Sequence, residues 1–141
     1  PDCLFVQTAA TAELVSTTTL VVPFQQDVFA FTDRPYRQHA YLNATQFVSL
    51  WTGAGSDSFQ ADPPNAVLTW ADGGVVKEAQ VELLDAKLSI NGTHIAYTVN
   101  WLTSRYNIPY GTALKSVSLF IDKRRHTHRS FWNSWGLTWI H

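Results

Sequence analysis

A chain of 141 residues is one domain of ordinary size, long enough to bury a core. Hydrophobic residues make up 45% and aromatics 13%, which excludes a disordered chain. Lys plus Arg (10) nearly balances Asp plus Glu (11) for a net charge of −1. There is no global basic field for nucleic acid, and no acidic one either.

Leu4-Phe5-Val6-Gln7-Thr8 reads as an edge or first strand. Leu14 to Val22 is rich in Thr and Val, which favour strands, and Pro23 ends it. Val28-Phe29-Ala30-Phe31 is the next strand, stopped by Asp33-Arg34-Pro35, because proline cannot donate to a ladder. Asn43-Ala44-Thr45-Gln46 predicts a capping box that opens a helix. Phe47, Val48 and Trp51 follow on one helical face, and Gly53 and Gly55 end it. A helix of about ten residues is too short to stand alone, so these side chains are expected to plug the end or face of a sheet.

After Pro63-Pro64 the chain reads as hairpins. Ala66 to Ala71 is a strand, and Asp72-Gly73 signals a type I′ turn. Val75 to Leu83 alternates, with Val75, Ala79, Val81 and Leu83 expected on one face. The phase flips at Leu83-Leu84, the mark of a bulge or a new strand. Asn91-Gly92 joins Ala86–Ile90 to Thr93–Leu102. Pairing across that turn places Leu84, Leu88, Ile90, Ile95, Tyr97, Val99 and Trp101 together, and a slip of one residue would destroy the sorting. Residues 103–112 read as a loop. In the strand Ser116 to Ile121, Val117, Leu119 and Ile121 face inward. Seven or so short strands with one short α-helix predict an all-β, mainly antiparallel fold, a single β-sandwich. The domain covers residues 1–122. Residues 123–141, basic and then Trp-rich, are part of it or a docking tail.

Charged residues are 15%, below the roughly 25% of average chains. Low charge with many Thr, Ser, Asn and Gln fits an exported β-protein, secreted or at the cell surface. Met is absent, which points to a trimmed N-terminus. The start has no signal-peptide pattern, so a targeting segment is expected to have been removed. No apolar run approaches the ~20 residues of a membrane span. The single Cys3 cannot close an intramolecular disulfide. A small buried residue is the expectation, with pairing to another chain the other reading.

Several motifs occur in series: Phe5–Ala9 (FVQTA), Phe31–Arg37 (FxDRPxR), Phe47–Trp51 (FVxxW), Asp57–Ala66 (DSFxxDPPNA) and Ser118–Asp122 (SLFID). In order and spacing the chain resembles a family of uncharacterised exported proteins over about residues 4 to 122. The resemblance implies export and a compact domain, and it implies no reaction. The segment from Lys123 onward lies outside it.

The strongest polar constellation is Asp33, Arg34 and Arg37 with Asp57, Asp62 and Asn65. It reads as a clamp in which the guanidinium satisfies carboxylates and carbonyls of the loops bracketing the helix. The alternative is a site for an anion or a sugar hydroxyl. His126 and His128 have a spacing that could hold zinc or copper, but Lys123, Arg124, Arg125 and Arg129 oppose a cation, and a solvated basic segment is the simpler reading. Tyr36 and His39 near Arg34 have only proximity to recommend them for acid–base work. Asn43 and Asn91 begin glycosylation acceptor patterns, and each also has a local reason, a helix cap and a turn. Phe131, Trp132, Trp135 and Trp139 either close the core or form an interface. No phosphate loop and no Gly-x-Ser-x-Gly occurs, and no cofactor is expected. The expectation is a non-enzymatic structural or interaction subunit of a cell-surface or extracellular assembly, docking a protein partner or self-associating through its C-terminal segment. The alternative is a glycan-binding module that uses exposed tryptophans. Third comes a metal or enzymatic site around Arg34, His39, His126 and His128.

Overall fold

A computed structural model describes residues 3–32, 38–53, 58–103, 108 and 111–123. The strands in chain order are β1 (Cys3–Leu14), β2 (Thr19–Pro23), β3 (Val28–Thr32), β4 (His39–Leu42), β5 (Asn65–Asp72), β6 (Val75–Leu88), β7 (His94–Trp101) and β8 (Ala113–Lys123). The helix α1 (Ala44–Thr52) lies between β4 and β5. All pairings are antiparallel, in the order β2-β7-β6-β5-β8-β1-β3-β4, and β2 also pairs with β1. That last pairing closes β1, β2, β7, β6, β5 and β8 into a six-stranded barrel. The all-β, antiparallel expectation holds; the sandwich does not.

Two long strands explain the difference. β1 runs for 12 residues and β6 for 14, so neither is a short sandwich strand. β1 is no edge: it pairs with β8 on one side, while on the other Cys3–Val6 meet β3 and Glu13–Leu14 meet β2. Bulges supply the curvature that closure needs. One falls in β6 between Leu83 and Asp85, where the phase flip sits. Another shifts β8 against β5, beside Ser116 at φ 52°.

The bulge corrects one predicted face. Leu83, not Leu84, stands opposite Val99; Leu83 is buried and Leu84 exposed. The expected hairpin register is otherwise present, with Leu88 opposite Ile95 and Ala86 opposite Tyr97. Ile95, Tyr97 and Val99 are buried, but Ile90 is fully exposed in the turn and Trp101 only half-buried. At the other hairpin the type I′ turn is built on Gly73 (φ 61°) and Gly74 (φ 84°), with Asp72 paired to Val75. The turn thus sits one residue later than Asp72-Gly73. Val75, near the hairpin tip, is exposed instead of sharing the buried face of Ala79, Val81 and Leu83.

The helix forms as the sequence predicts. The Asn43 side chain accepts from the Gln46 N–H at 2.8 Å, and the Gln46 side chain accepts from the Asn43 N–H at 2.9 Å. Phe47 and Trp51 are buried and Val48 partly so. They close the barrel end where β1 begins and β8 ends. β4 is a strand the sequence reading missed: four residues, three of them exposed, with only Leu42 packed against the core.

Candidate functional site

The barrel lumen is filled by side chains. Phe5, Phe47, Trp51 and Phe59 interlock in tilted and edge-on pairs with ring centroids 4.9–5.9 Å apart. The Trp51 indole N–H donates to the Leu83 carbonyl at 3.0 Å, so the helix is pinned at the β6 bulge. Deeper in, the Tyr97 hydroxyl donates to Gln7 Oε1 at 2.5 Å. Gln7 is itself buried, and its Nε2 has no partner among the described residues. Burial holds the Tyr97 phenol well above its usual pKa, because the phenolate would lose its hydration. Among the described residues this interior is a packed core that holds the Tyr97–Gln7 polar pair.

At the plugged end several of the sequence motifs converge. Adjacent strands place Asn65 opposite Asp122, Asp122 opposite Leu4, Leu4 opposite Phe31 and Phe31 opposite His39. Asp122 is 3% exposed. Next to it, Lys123 turns toward the barrel mouth. Its ammonium lies 2.8 Å from Asp62 Oδ2, also donates to the Asp62 carbonyl, and stands 5.4 Å from the centre of the Phe59 ring. The turn that presents Asp62 is fixed by Asp62 N–H to Ser58 O and Ala61 N–H to Ser58 Oγ.

The polar constellation is therefore realised in part. Asp62 is held by Lys123, and Asn65 starts β5 beside Asp122. Asp33, Arg34, Arg37 and Asp57, with Tyr36, lie outside the described residues. Sequence reasoning missed both Asp122 and Lys123. By sequence Lys123 belongs with the basic segment, yet it is the last residue of β8. A charged pair ending an alternating strand was the available signal.

Beyond the closed barrel, β3 and β4 form a flap hung on the first residues of β1. Phe29 and Phe31 stack at 5.3 Å, and Phe29 also meets Tyr41 at 5.2 Å and His39 at 6.1 Å. Phe31 and Phe120 pack over Leu4 and Val67 on the barrel's outer side. The far end of this aromatic stripe is open: Tyr41 is 67% exposed. His39 thus lies on the flap, without an acid–base partner among the described residues.

The other expected sites fall as follows. Asn43 is engaged as the helix cap. Asn91 sits at the tip of the β6–β7 turn, where its Oδ1 accepts from Ser89 Oγ and Thr93 Oγ1, both at 2.8 Å. Cys3 is half-buried at the start of β1, opposite Lys123. His126, His128, Phe131, Trp132, Trp135 and Trp139 lie outside the described residues. Among the described residues no group of three or more His, Cys, Asp or Glu is placed to hold a metal ion, and no helix is long and apolar enough to cross a membrane. No protein-family model, no curated protein and no solved structure matches the chain, so a functional reading rests on this geometry.

Proposed function

We propose that this chain is a non-enzymatic interaction subunit of a cell-surface or extracellular assembly, and that the β3–β4 flap is a docking element. One observation carries the reading. A barrel has no free strand edges, yet this chain adds two strands outside the closed ring, and among the described residues β4 is paired on one side only. The flap's outer stripe is aromatic and ends in the exposed Tyr41, the residue type that anchors interfaces. The filled lumen supports the non-enzymatic part, since it leaves the barrel core to packing.

The C-terminal segment expected to dock lies outside the described residues, and the flap is a second candidate docking element. The glycan-binding alternative needs exposed tryptophan faces. Trp51 and Trp70 are buried, and Trp101 is half-buried with its N–H donated to the Thr17 carbonyl, so no described tryptophan favours it. Photo-crosslinking tests the proposal. A photoreactive side chain in place of Tyr41 should give a specific protein adduct in the native extract. The same group at Val76, equally exposed on the β5–β6 hairpin, should not. Equal labelling at both positions, or none at Tyr41, would remove the flap from the reading.

A further inference from the structure

Resting on that reading, we infer that the edge of β4 that no described strand covers pairs with a second copy of this chain, antiparallel and about a two-fold axis, to form a weak dimer with one continuous sheet. The first argument is which backbone groups face outward. At the base of the flap the Thr32 N–H donates to the Gln38 carbonyl at 2.8 Å. Residue pairs along an antiparallel ladder alternate between bonded and non-bonded. Counting from Thr32–Gln38, the pair Phe31–His39 is non-bonded, Ala30–Ala40 bonded and Phe29–Tyr41 non-bonded. The close approach of the Phe29 and Tyr41 rings fits a non-bonded pair, in which side chains stand nearer. The N–H and C=O groups of His39 and Tyr41 therefore point away from β3, along the free edge.

That spacing is self-complementary. In an antiparallel pairing centred on Ala40, His39 meets Tyr41 of the partner subunit and Tyr41 meets His39 of the partner subunit. Both become bonded pairs that exchange both hydrogen bonds, with the two Ala40 residues non-bonded between them. The axis stands perpendicular to the sheet, so the two aromatic faces lie on the same side and the Phe29-Phe31-His39-Tyr41 stripe continues across the junction.

The edge also lacks the features that keep edges apart. Natural sheets protect them with lysine, proline, inward charges or bulges. His39-Ala40-Tyr41-Leu42 has none of these, and β4 matches β3 residue for residue without a register shift. A net charge of −1 gives two copies almost no mutual repulsion. Size sets the strength. An edge of four residues with one aromatic stripe falls short of the ~1,200 Å² that stable interfaces bury, so the dimer forms at high protein concentration or where the chain is locally concentrated.

Sedimentation velocity and native mass spectrometry of the full chain, from micromolar to millimolar, test this. The mass should rise from one protomer toward two. His39→Pro removes an outward N–H and leaves the β3 ladder intact; by symmetry each dimer loses two donors. It should raise the dissociation constant by at least about tenfold without moving the melting temperature, while His39→Ala, which keeps the backbone donor, should still dimerise. Tyr41→Lys, which adds a charge at the junction, should act like His39→Pro and serves if the proline variant does not fold. A chain that remains monomeric at millimolar concentration overturns the dimer. So does an association that both His39→Pro and Tyr41→Lys leave intact. In either case an adduct from Tyr41 with a different protein leaves the interaction reading standing, so the two fail separately.

Discussion

The plugged barrel end and the β3–β4 flap are made of the same kind of residue and meet opposite fates. Phe5, Phe47, Trp51 and Phe59 form an aromatic cluster that is at most 6% exposed. Phe29, Phe31, His39 and Tyr41 form another at similar ring distances, and it opens steadily toward solvent. What separates them is the number of neighbours. The first cluster joins Phe5 of β1 to Phe47 and Trp51 of α1 and to Phe59 at the end of the closed ring, where the Trp51 indole is fixed to Leu83. The second lies on strands added to the outside of a closed ring. Aromatic content is therefore a statement about contact area, not about location; the partner for that area comes from the same chain in one case and, by our proposal, from another molecule in the second.

Substitutions can break this contrast, starting inside the barrel. Trp51→Ala should cost about 3–5 kcal/mol in denaturant unfolding, because it opens a cavity among Phe47, Phe59 and Tyr97 and leaves the Leu83 carbonyl without its donor. A loss below about 1 kcal/mol would mean that the helix does not plug the barrel. Tyr97→Phe should cost about 1–3 kcal/mol, since Gln7 is then buried with neither polar atom satisfied. Gln7→Leu combined with Tyr97→Phe should recover part of that loss, and a double-mutant cycle measures the coupling.

Tyr97 also carries a pH dependence. Its folded-state pKa is raised by burial, so the folded protein retains a proton that the unfolded chain releases. The stability tied to this group is full below the unfolded value, about pH 10, and falls as pH rises beyond it. Tyr97→Phe should flatten that alkaline slope in urea titrations at a series of pH values.

Effects shrink toward the mouth and the flap. Asp62→Ala should cost about 1 kcal/mol. It takes a carboxylate from Lys123, whose side chain is 10% exposed, but Asp62 itself is half in water, and the backbone carbonyl and the Phe59 ring remain. Tyr41→Ala should move stability by no more than about 0.5 kcal/mol while weakening self-association in sedimentation. A large stability loss there would put the outer aromatic stripe in the core, which Val28 on the flap's other face already joins, and end the comparison.

Local features were legible in the sequence where a few neighbouring residues decide them. The Asn43–Gln46 capping box, the Leu88–Ile95 register and the β6 bulge each need only short-range geometry. The site was legible less far. Asp62 and Asn65 stand where the motifs meet, but their partners Lys123 and Asp122 arrive from the far end of the described chain, and nothing local announces a contact across 61 residues. β4 was invisible because His39, Ala40 and Tyr41 are all exposed, which erases the alternation by which strands are recognised.

The sequence by itself determined an antiparallel all-β chain with one capped helix, and which side chains of β7 and β8 face inward, because alternation and turn chemistry act between near neighbours. Only the tertiary structure decided that β1 meets β2 to close a barrel rather than lying in a sandwich, since closure depends on curvature accumulated over long strands and their bulges. It also decided that two strands remain outside the ring. The edge of β4 that no described strand covers is a property of what does not pair with it, and no residue of β4 encodes that alone.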